Sequence, residues 1–140
     1  ALVLLAASAS FAHEDMKLPP GPIADRHELM EDIGANAKKI GDALKVKDMK
    51  TIAAAAEKIA ADAKKIPALF PPGSTSPQSR AKAEIWKDWA AFEKSAAELG
   101  TTADAVAKAA QSGGDAGAAA KTMFGNCKSC HDAFREPEKD

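Results

Sequence analysis

The chain has no tyrosine, two cysteines and three histidines, and aromatic residues make up 5% of its 140 positions. β-branched residues are few, while alanine dominates the middle of the sequence. That composition argues against sheet and for helix nearly throughout. The formal charge is −1, too small to create a strong field toward nucleic acid or an acidic membrane surface. No basic stretch is interleaved with aromatics, which excludes the usual nucleic-acid footprint. No apolar run is long enough to span a bilayer. No constellation of residues for nucleophilic or acid–base catalysis is present, so an enzyme is not expected.

What is present begins with ALVLLAASASFA, an uncharged apolar run ending in small residues. Ser10 and Ala12 stand at the −3 and −1 positions of a cleavage after Ala12. The positive segment that opens a signal peptide is missing, so residues 1–12 are expected to be a signal-peptide remnant. The mature chain would then be an exported, periplasmic domain over residues 13–140. That length suits one domain with its own core; neither a repeat nor a second domain is visible.

After a polar lead-in (HEDMKLPPG), Pro22 suits the first turn of a helix. Ile23, Arg26, Met30, Ile33, Ala37, Ile40 and Leu44 then recur at spacings of three and four, one helical face. Asp48 is an N-cap for a second helix with the stripe Ile52, Ala56, Ile59, Ala63 and Ile66, ended by Pro67. Residues 67–78 (PALFPPGSTSPQ) hold four prolines and a glycine and read as a loop crossing one end of a bundle. Ser79 is expected to cap a third helix carrying Ile85, Trp89, Phe92, Ala96, Leu99, Ala103, Val106 and Ala110. The pattern keeps phase across Gly100, which favours one long helix over a break with Thr102 as a new cap. Gly113–Asp115 form a turn, and Asp115 caps a fourth helix with Ala116, Ala120, Phe124, Cys127, His131 and Phe134 on one side. Glu136–Asp140 read as a frayed, charged tail. Four amphipathic helices with mostly short connections predict an all-α, antiparallel up-down-up-down four-helix bundle.

Both cysteines fall in NCKSCHDAF, residues 126–134. Cys-x-x-Cys-His is the mark of covalent c-type haem attachment. Thiols one turn apart on a helix reach the two vinyl groups of a haem, and the adjacent imidazole lies under the iron. Cys127 and Cys130 are thus the expected attachment points and His131 the proximal ligand of one haem c. A Cys127–Cys130 disulfide leaves the histidine unexplained. A thioredoxin-like pair needs a strand–helix context. A zinc site needs further ligands, and His13 and His27 form no recognised pattern with this pair. Alanine stripes bury little area per turn, and a large flat cofactor would fill the hollow they are expected to leave.

RHELM near the start, IPALFPPGS in the middle, EIWKDWAAF after it and CKSCHDAFR at the end together resemble the class II c-type cytochromes, the cytochrome c-prime and cytochrome c-556 proteins. The C-terminal position of the haem motif is what points to this class. The resemblance implies a four-helix bundle with haem on its last helix and the first helix crossing the other haem face. The residue facing iron in the family matches Met30, and the arginine that contacts a haem propionate matches Arg26. In one branch a methionine here ligates iron; in the other an apolar residue, itself sometimes methionine, only blocks that side, so residue identity leaves both open. His/Met ligation is the expectation adopted, since a soft thioether stabilises ferrous iron. The basic residue near the proximal imidazole matches Arg135. Met123 is expected beside the macrocycle, Phe124, Phe134, Trp86 and Trp89 in the haem pocket or between helices, and His27 on the surface or at an interface. Relatives often pair through their first two helices, although no stripe in this chain proves a homodimer.

The function expected is electron carriage, with redox partner proteins docking transiently. The rival is a five-coordinate haem binding nitric oxide or carbon monoxide. A third, non-haem reading is a small interaction bundle with an incidental disulfide.

Overall fold

The computed structural model describes residues 18–138. The expected signal-peptide remnant, the cleavage site and Met16 of the lead-in lie outside those residues. The described chain forms α1 (Pro22–Val46), α2 (Met49–Ala63), the short α3 (Glu84–Lys87), α4 (Trp89–Ser112) and α5 (Ala116–Phe134), with a single 3₁₀ turn at Pro67–Leu69. The four long helices make the antiparallel, up-down-up-down bundle expected.

Local chemistry explains most of the boundaries. Pro22 stands in the first turn of α1. Asp48 caps α2 by accepting a hydrogen bond from the Thr51 amide at 3.1 Å, and Asp115 caps α5 by accepting from the Ala118 amide at 2.9 Å. Both satisfy amides that a helix start would otherwise leave open. Gly113 ends α4 with φ 73°, a left-handed conformation that glycine adopts without steric cost.

The third helix departs from expectation. Ser79 caps nothing; its hydroxyl accepts hydrogen bonds from Arg26 and from the Ala81 amide. One turn, α3, forms first, and Asp88 (φ −125°, ψ 63°) then breaks the chain and caps α4 through the Ala91 amide. An aspartate that caps well competes with continued helix. From there α4 runs unbroken through Gly100. A Cβ at that glycine would sit 3.6 Å from the Ala63 side chain, an ordinary van der Waals contact, so the seam between α2 and α4 has room for an alanine there. The α2 helix itself stops at Ala63, and Pro67 opens the 3₁₀ turn rather than ending the helix.

The core is built from two kinds of side chain. Alanines (Ala56, Ala60, Ala63, Ala96, Ala103, Ala107, Ala120) line the seams of α2, α4 and α5, while Ile40, Ile52, Ile59, Ile85, Val106 and Met123 are almost wholly buried among them. On α1 the buried positions are Arg26, Ile33, Asn36, Ile40 and Ala43; Ala37 and Leu44 are only half-buried. The stripe therefore leans one residue toward the helix N-terminus of what its apolar residues mark. Along the seams of α2, α4 and α5 the small side chains let neighbouring helices pack closely. Packing is extensive between α1 and α2, α2 and α4, and α4 and α5, whereas α1 and α5 meet only sparsely.

Asp62 is fully buried on α2, its carboxylate bonded to Lys58 at 2.6 Å and Lys65 at 2.7 Å. Burial pushes its pKa up, but the two lysine hydrogen bonds and charges outweigh that, and it lies below the ordinary aspartate value. Lys58 also reaches Asp32 on α1 at 3.0 Å, tying the first two helices together.

Ile59→Ala is expected to cost about 2–5 kcal/mol in urea denaturation, because it opens a cavity where α2 is sealed. Val46→Ala, at a side chain 74% exposed, should stay within about 0.5 kcal/mol. The Asp62 contribution should be complete above the ordinary aspartate pKa and fade as the pH falls through its lowered value; in Asp62→Asn that acid limb of the stability curve should flatten.

Candidate cofactor site

Helices α1 and α5 diverge at the end of the bundle where α1 begins and α5 finishes. A cavity of about 430 Å³ opens there, within the size range of small-molecule and cofactor sites. Arg26, His27 and Met30 border it from α1, and Cys130, His131 and Phe134 from α5. Its third wall is the chain that runs from Phe70 through Gln78, Ser79, Arg80 and Ala81, and Ile85 and Phe92 form the floor. Met30 and His131 thus face one space from different helices.

The motif lies on continuous helix. Cys127, Cys130 and His131 share a side of α5, as spacings of three and four require. Both cysteines are free thiols, half-buried and packed against the core. Burial pushes both thiols above the ordinary value, and Cys127 adds to the effect at Cys130. Cys130 borders the cavity, whereas Cys127 stands one turn deeper. His131 is half-buried. Burial first, then the charges of Arg135 and Arg80, hold its pKa below the ordinary value, with Asp132 opposing. The ring is therefore neutral at pH 7, the form that binds a metal.

Arg26 is 5% exposed and sits in the cavity wall. Its two terminal nitrogens donate to the Leu69 carbonyl (3.2 Å), the Ser74 hydroxyl (2.8 Å), the Ser74 carbonyl (2.6 Å) and the Ser79 hydroxyl (2.8 Å). The guanidinium carbon lies 4.4 Å from the centre of the Phe70 ring. All these acceptors are neutral, and no carboxylate pairs with Arg26 among the described residues. A buried cation without an anion is costly, so this wall is prepared for a negatively charged group. Burial accordingly lowers the Arg26 pKa from its ordinary value.

Of the other residues singled out in the sequence, Arg135 borders the cavity beside His131. Met123 and Phe124 do not: Met123 is wholly buried in the core and Phe124 half-buried against it. Trp86 and Trp89 also stand outside the cavity. They belong to an aromatic cluster in which Phe70 lies 4.8 Å from Phe92, and Phe92 lies 5.4 Å from Phe134. His27 is exposed, as expected, and also rims the cavity, 3.7 Å from Glu31. Sequence reasoning missed two residues of the wall. Arg80 and Ser79 were hidden by the expectation that a helix starts there. Their only signal was the density of proline just before them.

The residues present fit a haem c. Two thiols one turn apart precede a neutral imidazole, a thioether faces the same space, and the lining combines apolar side chains with three arginines suited to carboxylates and with the polar Glu31, Gln78 and Ser79.

The family model described as Cytochrome C' matches residues 21–135. The chain is 34% identical over 138 residues to a cytochrome c' of Rhodopseudomonas palustris, covering 96% of this chain and 90% of that protein. It is also 34% identical over 120 residues to a cytochrome c-556 of Agrobacterium tumefaciens, covering 82% of this chain and 97% of the relative. The solved structure of cytochrome c' from Rhodopseudomonas palustris superposes with a TM-score of 0.75 at 33% identity, over 86% of this chain and all of the other.

In haem-free protein, Arg135→Gln should raise the His131 pKa toward the ordinary histidine value near 6.5, since it removes a cation that disfavours the imidazolium. The shift is read from the pH dependence of the imidazole NMR signals. No movement would mean that Arg135 plays no part in setting it.

Proposed function

The chain belongs to the cytochrome c' family, whose members carry covalently attached haem c, and on that footing we propose that it is a periplasmic electron carrier. Cys127 and Cys130 are the proposed attachment points, His131 the proximal ligand and Met30 the distal one. The carrying observation is that Met30 on α1 and Cys130 with His131 on α5 border a single cavity. When bound, the haem supplies a one-electron ferrous–ferric couple.

The chain's own residues set the conditions for that couple. His131 is kept neutral by burial and by two nearby arginines, so its ring nitrogen is available to metal at neutral pH. The thioether of Met30 favours the ferrous state, and the apolar walls disfavour the extra charge of the ferric state; both raise the potential. Arg26 contributes charge toward a propionate. Its terminal nitrogens are already engaged, so its effect there is mainly electrostatic. Arg135 and Arg80 are cations placed next to His131. Rigid helices on either side limit reorganisation, and the open mouth lets a redox partner protein dock briefly. Electron carriage requires no catalytic group of the protein, and no enzyme activity is proposed. Among the described residues no helix is long and apolar enough to cross a membrane. Residues 1–12 are proposed to be the remnant of an export signal, with 13–140 as the mature domain.

A second reading, a five-coordinate haem taking up nitric oxide or carbon monoxide, is favoured by the apolar surroundings of Met30, with Ile85 and Phe92 across the cavity. Optical spectra of both oxidation states separate the two. Low-spin iron with a methionine-to-iron charge-transfer band supports the carrier, and high-spin iron that binds carbon monoxide readily supports the gas reading. Met30→Ala should convert low-spin to high-spin iron and lower the potential; an unchanged spectrum rules out ligation by sulfur. Colourless protein from a host competent in haem attachment, with both thiols still titratable, overturns the haem reading altogether.

A further inference from the structure

We propose that Arg26, Ser74 and Ser79 form a latch that holds residues 69–82 across the gap between α1 and α5 and limits the entry of small ligands into the cavity. The second half of this proposal rests on the haem reading; the first does not.

Three observations carry it. Helices α1 and α5 scarcely pack against one another, so direct contact does not close the cavity between them. The segment that bridges them supplies one wall, and it is fastened at both sides. On the α5 side it is held by backbone hydrogen bonds, from the Lys82 amide to the Phe134 carbonyl (2.9 Å) and from the Glu136 amide to the Arg80 carbonyl (2.7 Å). On the α1 side the described fastening is a single side chain, Arg26, whose four hydrogen bonds converge on Leu69, Ser74 and Ser79. Hydrogen bonds from a charged donor are the stronger kind, and the fork geometry of a guanidinium is what lets one residue hold three points of a loop. The segment's own hydrogen bonds are local turns, from the amides of Ser74, Thr75 and Ser79 to the carbonyls of Pro71, Gly73 and Ser76, and the Trp86 indole donates to the Phe70 and Pro71 carbonyls; none of these reaches α1.

Arg26 is therefore a positioning residue as well as a charge. The two roles predict different results. A purely electrostatic role toward a propionate survives Arg26→Lys and is indifferent to Ser79. A latch needs the fork and the hydroxyl, so Arg26→Lys and Ser79→Ala should both loosen the segment.

The test uses the holoprotein. Hydrogen exchange is followed at the amides of Ser74, Thr75 and Ser79. Carbon monoxide association with the ferrous form is followed by flash photolysis, in a Met30→Ala background so that loss of a sulfur ligand does not mask entry. Ser79→Ala should speed exchange at those amides about tenfold, the scale of one lost hydrogen bond to a charged group, and raise the association rate several-fold. Arg26→Lys should do the same or more. Unchanged exchange in both variants overturns the latch. Faster exchange with an unchanged association rate overturns the control of entry. If Arg26→Lys does not fold, Ser79→Ala decides, read at the Ser74 and Thr75 amides, because the same hydroxyl also accepts locally from the Ala81 amide. Colourless protein would sink the haem reading, while the exchange result would still decide the latch.

Discussion

A gap between two helices organises this molecule. The first and last long helices flank one end of the bundle without packing closely, and a proline-rich segment spans the space between them. Everything of chemical interest gathers at that seam: the thioether of Met30, the imidazole of His131, a thiol and a buried guanidinium. The gap persists because the other three helix pairs are sealed. Buried alanines let α2 and α4 come together tightly, and α5 closes on α4 in the same manner. Bulky residues are concentrated where the bundle opens, with Phe70, Phe92 and Phe134 stacked edge to face beneath the cavity.

The electrostatics follow from the same arrangement. Arg26, Arg80 and Arg135 come from three separate parts of the chain and meet around one cavity. They hold the His131 imidazole neutral, or offer positive charge to a group that enters. None would have this effect if α1 and α5 packed directly, because the space would be filled and Arg26 would face the core without compensation. The apolar floor lowers the local dielectric response, which strengthens each of these charges. A haem-binding protein of this family thus gathers its tuning groups by leaving one seam open.

Much of the architecture could be read beforehand. The helical stripes, the caps at Asp48 and Asp115 and the turn at Gly113 are local signals, carried by neighbours a few residues apart. The break at Asp88 was missed because a capping aspartate inside an otherwise apolar stripe looks like a solvent-facing residue. Asn36 is buried although polar, and periodicity alone ranks such a residue as surface; Arg26, which its spacing put on the core-facing stripe, is buried as well. Met123, expected beside the macrocycle, and Phe124, expected in the pocket or between helices, lie about two turns before Cys130 on α5 and pack in and against the core.

The sequence alone determined the helical class, the order of the long helices and the spacing of Cys127, Cys130 and His131, the residues proposed to hold a haem. Each of these depends on spacing along the chain. Which side chains meet was decided only in three dimensions. The 69–82 segment folds back so that Ser74 and Ser79 reach Arg26, some fifty residues away. Arg80 likewise comes to stand beside His131, and His27 at the cavity rim. Contacts of that range depend on how tightly the alanine seams close and on where α1 and α5 are left apart, and no local pattern encodes either.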